Sequence, residues 1–293
     1  MKKWIISLLL VLCLVPSALA QEVMPKDVIT ADTKLGILIN MLPELAAASV
    51  RGGDLKAEGA IKTLGEVTNV QTLSEGLMLL NADRVDALLS LYSTARYIAA
   101  RNDGFATMQA RYDLSMCMLA AADQQELIDT LNRGIESMTA DGTMTALWDA
   151  HVTKVIEGAE PVAVTLPENP DGRKVRVGVS GDVPPMDYVS ADGTPAGFNT
   201  AMLSELARRE NLSVEIVQID SGARFAALAS GRIDLFFWQS RANGLTSENY
   251  AGDITQYKIA EDEAISCLTT IPYISERAGW LLKQAHMNDT LRK

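Results

Sequence analysis

The sequence predicts an α/β protein with two similar lobes, each a mostly parallel sheet flanked by helices. One observation is a strand-helix-strand unit from Lys174 to Trp238 that ends in ALASGRIDLFFW. Another is a less regular copy of this unit, ending in LLNADRVDALLSL, about 150 residues earlier. The β-α-β-α-β order of the later unit is typical of a parallel sheet with right-handed crossovers.

Residues 1–20 have the three parts of a secretory signal peptide. Lys2 and Lys3 precede the apolar run IISLLLVLCLV, and the small residues ALA precede Gln21. The apolar run is shorter than the ~20 residues needed to cross a bilayer. The sequence therefore predicts cleavage before Gln21 and export to the periplasm, with no membrane insertion afterwards.

The charge of the chain narrows its possible partners. The 26 basic and 37 acidic side chains give a formal net charge of −11. A negative protein repels phosphate backbones, and the sequence has no basic cluster with interleaved aromatic residues. We therefore expect no nucleic acid partner.

Two cysteines follow the predicted signal peptide, Cys117 and Cys267, and each lies in an apolar run typical of a strand. They could form a disulfide in an oxidising compartment, or they could be two separately buried thiols. The sequence has no CxxC motif, and His151 and His286 are far apart. We therefore expect no metal site, no cofactor and no histidine-based catalytic triad.

Residues 21–154 are predicted to form a first α/β domain. Its first strand is KLGILI (34–39), and Pro43 can occupy the first turn of a short helix, PELAAAS. The copied unit begins at NVQTL and continues through a helix from Ser74 to the strand VDALLSL. Its order repeats the strand-helix-strand pattern of the second unit.

A long helix and a shorter one are predicted to close this domain. Asp123 and Glu126 have the spacing of a capping box at the start of the long helix. Apolar residues recur at helical spacing as far as Met138, and the sequence ADG (140–142) ends the helix. The shorter helix contains Leu147 and Trp148.

Residues 155–173 are predicted to be an exposed linker between two domains. The stretch VIEGAEPVAVTLPENPDGRK contains three prolines and two glycines. It has no sustained apolar period, which is typical of a connector between folded units.

Residues 174–293 are predicted to form the second α/β domain. Val175, Val177 and Val179 lie in an apolar strand, as expected where both faces of a parallel sheet are covered. The loop GDVPP follows, and MDYV and AGF are expected to form a small hairpin. Asn199 is predicted to cap the next helix, and Asn211 to end it in the left-handed conformation.

The second domain is predicted to continue with the strand VEIVQI and a second helix. Asp220 or Ser221 starts this helix, and Phe225 and Leu228 are expected to face inward. Gly231 closes the helix before the strand IDLFFW.

Residues 175–237 closely resemble the opening lobe of the family 3 extracellular solute-binding proteins, which are mostly amino-acid receptors of bacterial ABC importers. The resemblance is a long ordered series of matches that runs from VRVGVSGDVPPMDYV to ALASGRIDLFF. AISCLTTIPYISERAGWLLKQ is similar to the segment that leaves this lobe for the hinge. KLGILI, NVQTLSEGLMLLNADRVDALLSL and the stretch from DLSMCMLAAAD to DAHV resemble the second lobe and its closing helices. The resemblance implies the periplasmic binding protein-like II fold.

The order of these segments is reversed relative to the family. The family's chain runs from first lobe through hinge to second lobe, whereas the second-lobe-like part comes first here. One explanation is circular permutation, with the linker joining the old ends. The alternative is a rearranged tandem whose lobes complete each other between chains.

The position of a ligand follows from sheet geometry. Ligands bind outside the carboxyl ends of parallel strands, which selects the loops 182–185 and 238–241 in the second domain and 40–42 and 90–93 in the first. Aromatic faces, hydrogen-bonding groups and a carboxylate clamp, Arg241, are available there. The candidate ligand-binding residues are Asp182, Trp238, Gln239, Ser240, Arg241, Asn40, Ser90, Tyr92 and Ser93.

The chain departs from the family at the positions that usually contact an amino acid. Val183 replaces an aromatic residue, WQSRANGLTSEN replaces a SITPER-like pattern, and Leu91 stands where an aspartate usually meets the ligand ammonium. A desolvated amino acid needs both of its charges compensated. Asp182 and Asp187 could supply a carboxylate and Arg241 a cation, but the sequence leaves the ligand open.

Three functions are consistent with these features. A periplasmic receptor would close on a small polar solute and deliver it to an ABC permease without catalysis. A ligand-sensing or protein-interaction module, coupled to a membrane sensor rather than to transport, is the alternative. A dehydratase-like enzyme using Asp182 is a minor one, since no oriented catalytic partner is visible. The sequence therefore predicts a non-enzymatic solute-binding protein.

Overall fold

A computed structural model describes residues 33–38, 66–190, 193–241, 255–260 and 263–291 of the 293-residue chain. The signal peptide (1–20), the helix PELAAAS and Asn40 lie outside these residues. The strands of the described residues are β1 Leu35–Leu38, β2 Val67–Val70, β3 Ala87–Leu91, β4 Phe105–Ala121, β5 Arg173–Val179, β6 Asp182–Val183, β7 Asp187–Val189, β8 Pro195–Ala196, β9 Leu212–Gln218, β10 Leu235–Arg241, β11 Thr255–Ala260, β12 Glu263–Thr269 and β13 Ile274–Lys283.

The described residues include eight α-helices, of which the sequence predicted five; Tyr92–Ala99, Lys154–Ile156 and Gln284–Leu291 were not predicted. In chain order they are α1 Leu73–Asn81, α2 Tyr92–Ala99, α3 Gln125–Ala140, α4 Thr143–Trp148, α5 Lys154–Ile156, α6 Phe198–Arg209, α7 Arg224–Ala229 and α8 Gln284–Leu291. A π-helical turn, Asp149–Thr153, joins α4 to α5, and a 3₁₀ turn, Ser221–Ala223, precedes α7. Among the described helices, none is long and apolar enough to span a membrane.

The main sheet has ten strands and two parallel cores. In one half, which we call half A, β1 lies between β2 and β3 and is parallel to both. In the other, half B, β5 lies between β9 and β10 and is also parallel to both. The α/β class and the mostly parallel sheet of each half are thus confirmed.

The two halves share β4, a strand of 17 residues. One edge of β4 pairs with β13, which is antiparallel to both β3 and β4 in half A. The other edge of β4 pairs with β10 of half B. Strand β12 pairs with the last residues of β4, on the same edge as β13. The two domains predicted from the sequence therefore exchange strands, because β4 reaches half B and β13 returns to half A.

The sequence repeat is reproduced by the same hydrogen bonds in each half. Asp234 accepts from the main-chain N–H of Arg176 (2.7 Å), and its own N–H donates to the Arg176 carbonyl (2.8 Å). Asp86 makes the same two contacts with Lys34, at 2.8 and 2.7 Å. The motifs RID and RVD thus fix equivalent strand pairs.

A separate three-stranded sheet forms where the hairpin is predicted. Strand β7 lies between β6 and β8 and is antiparallel to both. Gly193 has φ +85° in the connection between β7 and β8, where residues 191 and 192 are outside the described set. This small sheet precedes α6 and covers the junction between the halves.

Two predicted helix caps are wrong. Helix α6 is capped by Gly197 rather than Asn199, because the chain enters it at φ +100°, a conformation that favours glycine. Asn199 is one residue inside the helix and fully buried. Helix α3 is capped by Gln124 rather than Asp123, with no side-chain capping bond, so the predicted capping box with Glu126 does not form.

The predicted helix ends are confirmed. Asn211 has φ +50° after α6, and Gly231 has φ +68° after α7. Gly142, with φ +81°, stands between α3 and α4 as the ADG sequence predicts. Left-handed residues at these positions end each helix, and after Asn211 and Gly231 the chain returns to the sheet.

Both cysteines of the strands are buried, and neither is part of a disulfide. Cys117 lies in β4 and Cys267 in β12, and burial raises the pKa of the Cys267 thiol to about 12. Of the two alternatives from the sequence, the structure has separate buried thiols.

The predicted linker runs along half B. Residues 159–172 form neither helix nor strand, apart from a bridge between Ala163 and Ala196. Asn169 donates to the carbonyls of Ala207 and Leu212 at 2.9 and 2.7 Å. These contacts hold the segment against the end of α6.

Candidate functional site

A hollow opens where β5 and β9 of half B end, beside the middle of β10. It has a volume of about 20 Å³, which is room for about one water molecule. The carboxyl ends of parallel strands are where ligands bind in open α/β sheets, so this is the position that sheet geometry favours. The residues that line it are Gly178, Val179, Ser180, Ile219, Ser221, Arg224, Phe236, Phe237 and Trp238.

Trp238 enters this site from an unusual backbone conformation. It has φ +74°, which is uncommon for a residue with a side chain, and it lies in a bulge where the pairing of β10 with β4 shifts between Phe236 and Gln239. Its side chain is only 3% exposed, and its indole Nε1–H donates to Asp187 at 2.8 Å. Trp238 therefore forms a wall of the hollow and not an open stacking face.

Asp187 is the buried charged group behind Trp238. Its carboxylate also accepts from Asn199 Nδ2 at 2.9 Å and from the Gly181 N–H at 3.3 Å. Burial raises the pKa of Asp187 to about 6, against the lowering effect of these donors. The group therefore changes charge in mildly acidic conditions. Tyr273 is buried in the same cluster, and burial raises its pKa well above the ordinary value.

Asp182 joins the two halves next to the hollow. Its Oδ2 accepts from the N–H of Leu73, the first residue of α1 in half A, at 3.1 Å. Its Oδ1 is buried and has no hydrogen-bond partner among the described residues. Gly222 lies beside the same part of half A, because a Cβ there would be 3.2 Å from Oε1 of Gln71. The hollow is thus close to the edge where half A meets half B.

A second contact between the halves is centred on Ser93. Its Oγ donates to Oε1 of Glu276 at 2.8 Å and lies 3.8 Å from Sδ of Met186 in half B. The Ser93 N–H also donates to Glu276, at 3.3 Å. Burial raises the pKa of Glu276 to about 7, although the two Ser93 donors lower it. Tyr97 and Tyr188 add a ring contact across the junction, with centroids 6.4 Å apart.

The residues predicted for the site are only partly together. Of this set, Trp238 lines the hollow, and Asp182 lies at the junction. Gln239 is fully buried opposite Cys117, and Ser240 and Arg241 continue β10 opposite Met116 and Ser115.

The predicted loop 90–93 of half A is a strand end followed at once by helix α2. Ser90 is buried and donates to the Leu91 carbonyl at 3.0 Å. Tyr92 begins α2, where Gly279 of β13 allows its backbone to approach closely. Neither residue lines the hollow, and Asn40 falls outside the described residues.

The sequence interpretation missed Arg224, Ser180 and Ser221. Arg224 is 6% exposed and lies over the rings of Phe225 and Phe236, at 5.5 and 5.1 Å from their centroids. A signal was available, since Arg224 opens the otherwise apolar stretch RFAALA and lies one helical turn before the inward residue Leu228.

The comparisons with known proteins support the resemblance read from the sequence. The model of the bacterial extracellular solute-binding proteins, family 3, matches residues 175–243. This segment contains all but the first two residues of β5, the strands β6 to β10, and every residue that lines the hollow. No curated protein sequence matches the chain.

Solved structures with some likeness include several ligand-binding proteins. One is the ligand-binding component of an ABC-type import system from Staphylococcus aureus, with zinc bound (12% identity, 89% of this chain and 69% of that chain, TM-score 0.43). Another is the GluR0 ligand-binding core with L-glutamate (12% identity, 90% and 91%, TM-score 0.37). A third is the alkanesulfonate-binding protein SsuA from Xanthomonas axonopodis pv. citri with MOPS (9% identity, 90% and 70%, TM-score 0.39). At these scores, nothing is transferred from their ligands to this chain.

Proposed function

Because residues 175–243 match the family of extracellular solute-binding proteins, we propose that this protein is an exported receptor for a small polar solute. The solute binds between half A and half B, and the loaded receptor presents it to an ABC importer. The observation that carries the proposal is the hollow at the ends of β5 and β9, which lies beside the junction of the two halves. Capture and release need no catalytic residue.

Binding in such a receptor works through closure of the two halves. The described contacts across the site's edge are few: Asp182 with Leu73, Ser93 with Met186, and a tyrosine pair. Contacts of this size contribute about 1 kcal/mol each, so a solute that touches both halves can shift the equilibrium between open and closed forms. The continuous strand β4 keeps the halves connected as they move.

A thermal-shift screen tests the proposal. The chain from Gln21, freed of co-purified ligand by partial unfolding and refolding, is mixed with amino acids, carboxylates, polyamines, sugars and short peptides. A solute at 100 times its Kd stabilises the folded form by about 2.7 kcal/mol, which corresponds to a rise in Tm of about 5–10 °C for a chain of this size. The absence of any shift across the screen would contradict the receptor function.

Small-angle scattering then tests the closure. Addition of the solute should reduce the radius of gyration of the wild-type protein. Asp182→Ala removes the contact with Leu73, so we expect a larger radius without solute and a larger change on binding. Asp171→Ala is the matched control, since Asp171 is an exposed residue of the linker. Equal radii for all proteins, with and without solute, would exclude the closure.

A further inference from the structure

One face of helix α2 carries contacts of half A with half B and with the closing helices. Ser93, Tyr97 and Arg101 follow one another at intervals of four residues, so they lie on the same side of the helix. The ring of Tyr97 meets that of Tyr188 in half B. Arg101, just after the helix, lies 3.9 Å over the Tyr97 ring and donates to the Val155 carbonyl at 2.7 Å. The position of α2 is therefore linked to the position of half B.

The first turn of α2 is attached to strand β13 by Glu276. Both the N–H and the Oγ of Ser93 donate to its carboxyl group, at 3.3 and 2.8 Å. Glu276 lies opposite Leu114 of β4, and the register of these two strands shifts between Arg277 and Gly279. Strands β4 and β13 are the ones that pass between the halves, and an irregular pairing bends a strand. Glu276 is thus placed where the chain crosses from one half to the other.

Half B covers this carboxyl group. Met186, which is fully buried, places its Sδ 3.8 Å from the Oγ of Ser93. The carbonyl of Met186 accepts from the Asn199 N–H at 2.8 Å, so Met186 is fixed to the first turn of α6 and moves with half B. A thioether is a weak acceptor, and it solvates a carboxylate poorly. Burial accordingly raises the pKa of Glu276 to about 7, although the Ser93 donors lower it.

No nearby charge compensates Glu276. Among the described residues it has hydrogen bonds with Ser93 alone and no ion pair. Asp113 of β4 is paired with Arg277 at 2.8 Å, and both are exposed. Besides the tyrosine pair, the charged or titratable groups of the elements around Glu276 are Tyr92, Arg96, Asp113, Arg277, Asp187 and Tyr273. The charge of Glu276 therefore depends on how far water reaches it.

We propose that Glu276 is a proton switch at the crossing strands: with its proton bound, half B stays against α2 as in this structure, and when it ionises, half B moves away. The direction follows from solvation, since the carboxylate gains water when Met186 leaves and the neutral acid gains little. The switch rests on the movement of the halves in the proposed function and adds a control by pH that needs no solute.

The size of the effect follows from linkage. If the carboxyl has a pKa of about 7 in this arrangement and the ordinary 4.5 in the open one, a rise from pH 5.5 to pH 8.5 increases the ratio of open to closed molecules about 30-fold. Protons are bound more tightly by the closed form, so low pH favours closure.

Small-angle scattering of the solute-free chain from pH 5.5 to pH 8.5 tests the switch. The radius of gyration of the wild type should increase with pH. Glu276→Gln, which cannot ionise, should keep the small radius at every pH. Asp187→Asn should still respond, because the other buried carboxyl is not the switch. Glu263→Gln is the matched control and should respond like the wild type, since Glu263 is an exposed carboxylate of β12. Asp182→Ala, which opens the junction, brings the change into range if the wild type is closed throughout.

The outcomes separate the switch from the receptor function. An increase of equal size in Glu276→Gln would assign the titration to another group and overturn the switch. A radius that is constant with pH in both the wild type and Asp182→Ala also overturns it, while a solute that raises the Tm keeps the receptor function. Should Glu276→Gln fail to fold, Ser93→Ala decides: loss of its hydroxyl donor raises the pKa of Glu276 further and should move the response to higher pH, and an unmoved response overturns the switch.

Discussion

The buried carboxylate of Asp187 should make the stability of this protein fall as the pH rises from about 4 to 6. Burial raises its pKa from 3.8 to about 6 in the folded chain. Between these values the folded state keeps the proton and the unfolded state has lost it. Stability is therefore greatest below the unfolded pKa and decreases by about 1.4 kcal/mol per pH unit. The total over this range is about 3 kcal/mol.

Asp187→Asn removes this titration; its amide oxygen can still accept from Asn199 and Trp238, and the lost contact with the Gly181 N–H adds a cost that does not depend on pH. Urea unfolding of both proteins from pH 4 to pH 7.5 gives the free energy of unfolding of each. The wild-type value minus the variant value should decrease by about 3 kcal/mol across the range. Subtraction matters, because burial lowers the pKa of His151 and its contribution has the opposite sign.

Asn199→Ala provides a control of the opposite kind. It keeps the titrating group but removes the donor at 2.9 Å that lowers the pKa of Asp187. The loss of stability with pH should then extend above pH 6. If the free energies of unfolding of wild type and Asp187→Asn change in parallel with pH, the reasoning is refuted. Parallel curves would mean that the carboxyl of Asp187 has the same pKa in the folded and the unfolded state.

Three further predictions test the fold around the site. Glu276→Gln should gain stability relative to wild type as the pH rises from about 4.5 to 7. Burial raises the Glu276 pKa to about 7, so the protonated side chain stabilises wild type at low pH, and this contribution is lost over that range. Urea titrations that show no such gain would contradict this. Gly197→Ala should cost about 3 kcal/mol or more, since a Cβ at φ +100° would meet backbone atoms, whereas Gly193→Ala, at φ +85° in open space, should cost about 1–2 kcal/mol. Cys117 and Cys267 should resist a thiol reagent in the folded protein and react together in urea, and rapid labelling of either in the native state would disagree with their burial.

The strand and helix order of both units could be predicted from the sequence because its signals are local. Apolar alternation, turn residues such as Gly231 and Asn211, and the repeated RID and RVD motifs each act within about ten residues of the chain. The motifs proved to have a common physical basis, since Asp86 accepts from Lys34 at the start of β1 and Asp234 from Arg176 in β5, the central parallel strand of each half.

The site was harder to predict because it depends on contacts between distant segments. Trp238 lies in the wall of the hollow because its indole N–H donates to Asp187, 51 residues earlier. Its positive φ, in a bulge of β10, allows this orientation. No local sequence pattern predicts a hydrogen bond between two residues so far apart in the chain. The serines were passed over for the same reason, since a hydroxyl without a partner can be recognised only when its surroundings are known.

The reversed order of the two units has a geometric explanation in half A. The turn between α1 and β3, residues 82–86, contacts both ends of this half: Asp86 accepts from the Lys34 N–H at the start of β1, and Asp83 accepts from Lys283 at the end of β13 (2.6 Å). In the resembling family, the hinge segment leads directly into the second lobe, which corresponds to a step from β13 to β1. The step from the end of β13 to the start of β1 is short in this structure. The linker connects the closing helices of the first unit to β5. Since β4 is shared and both halves complete one sheet within a single chain, we propose circular permutation as the origin of this order.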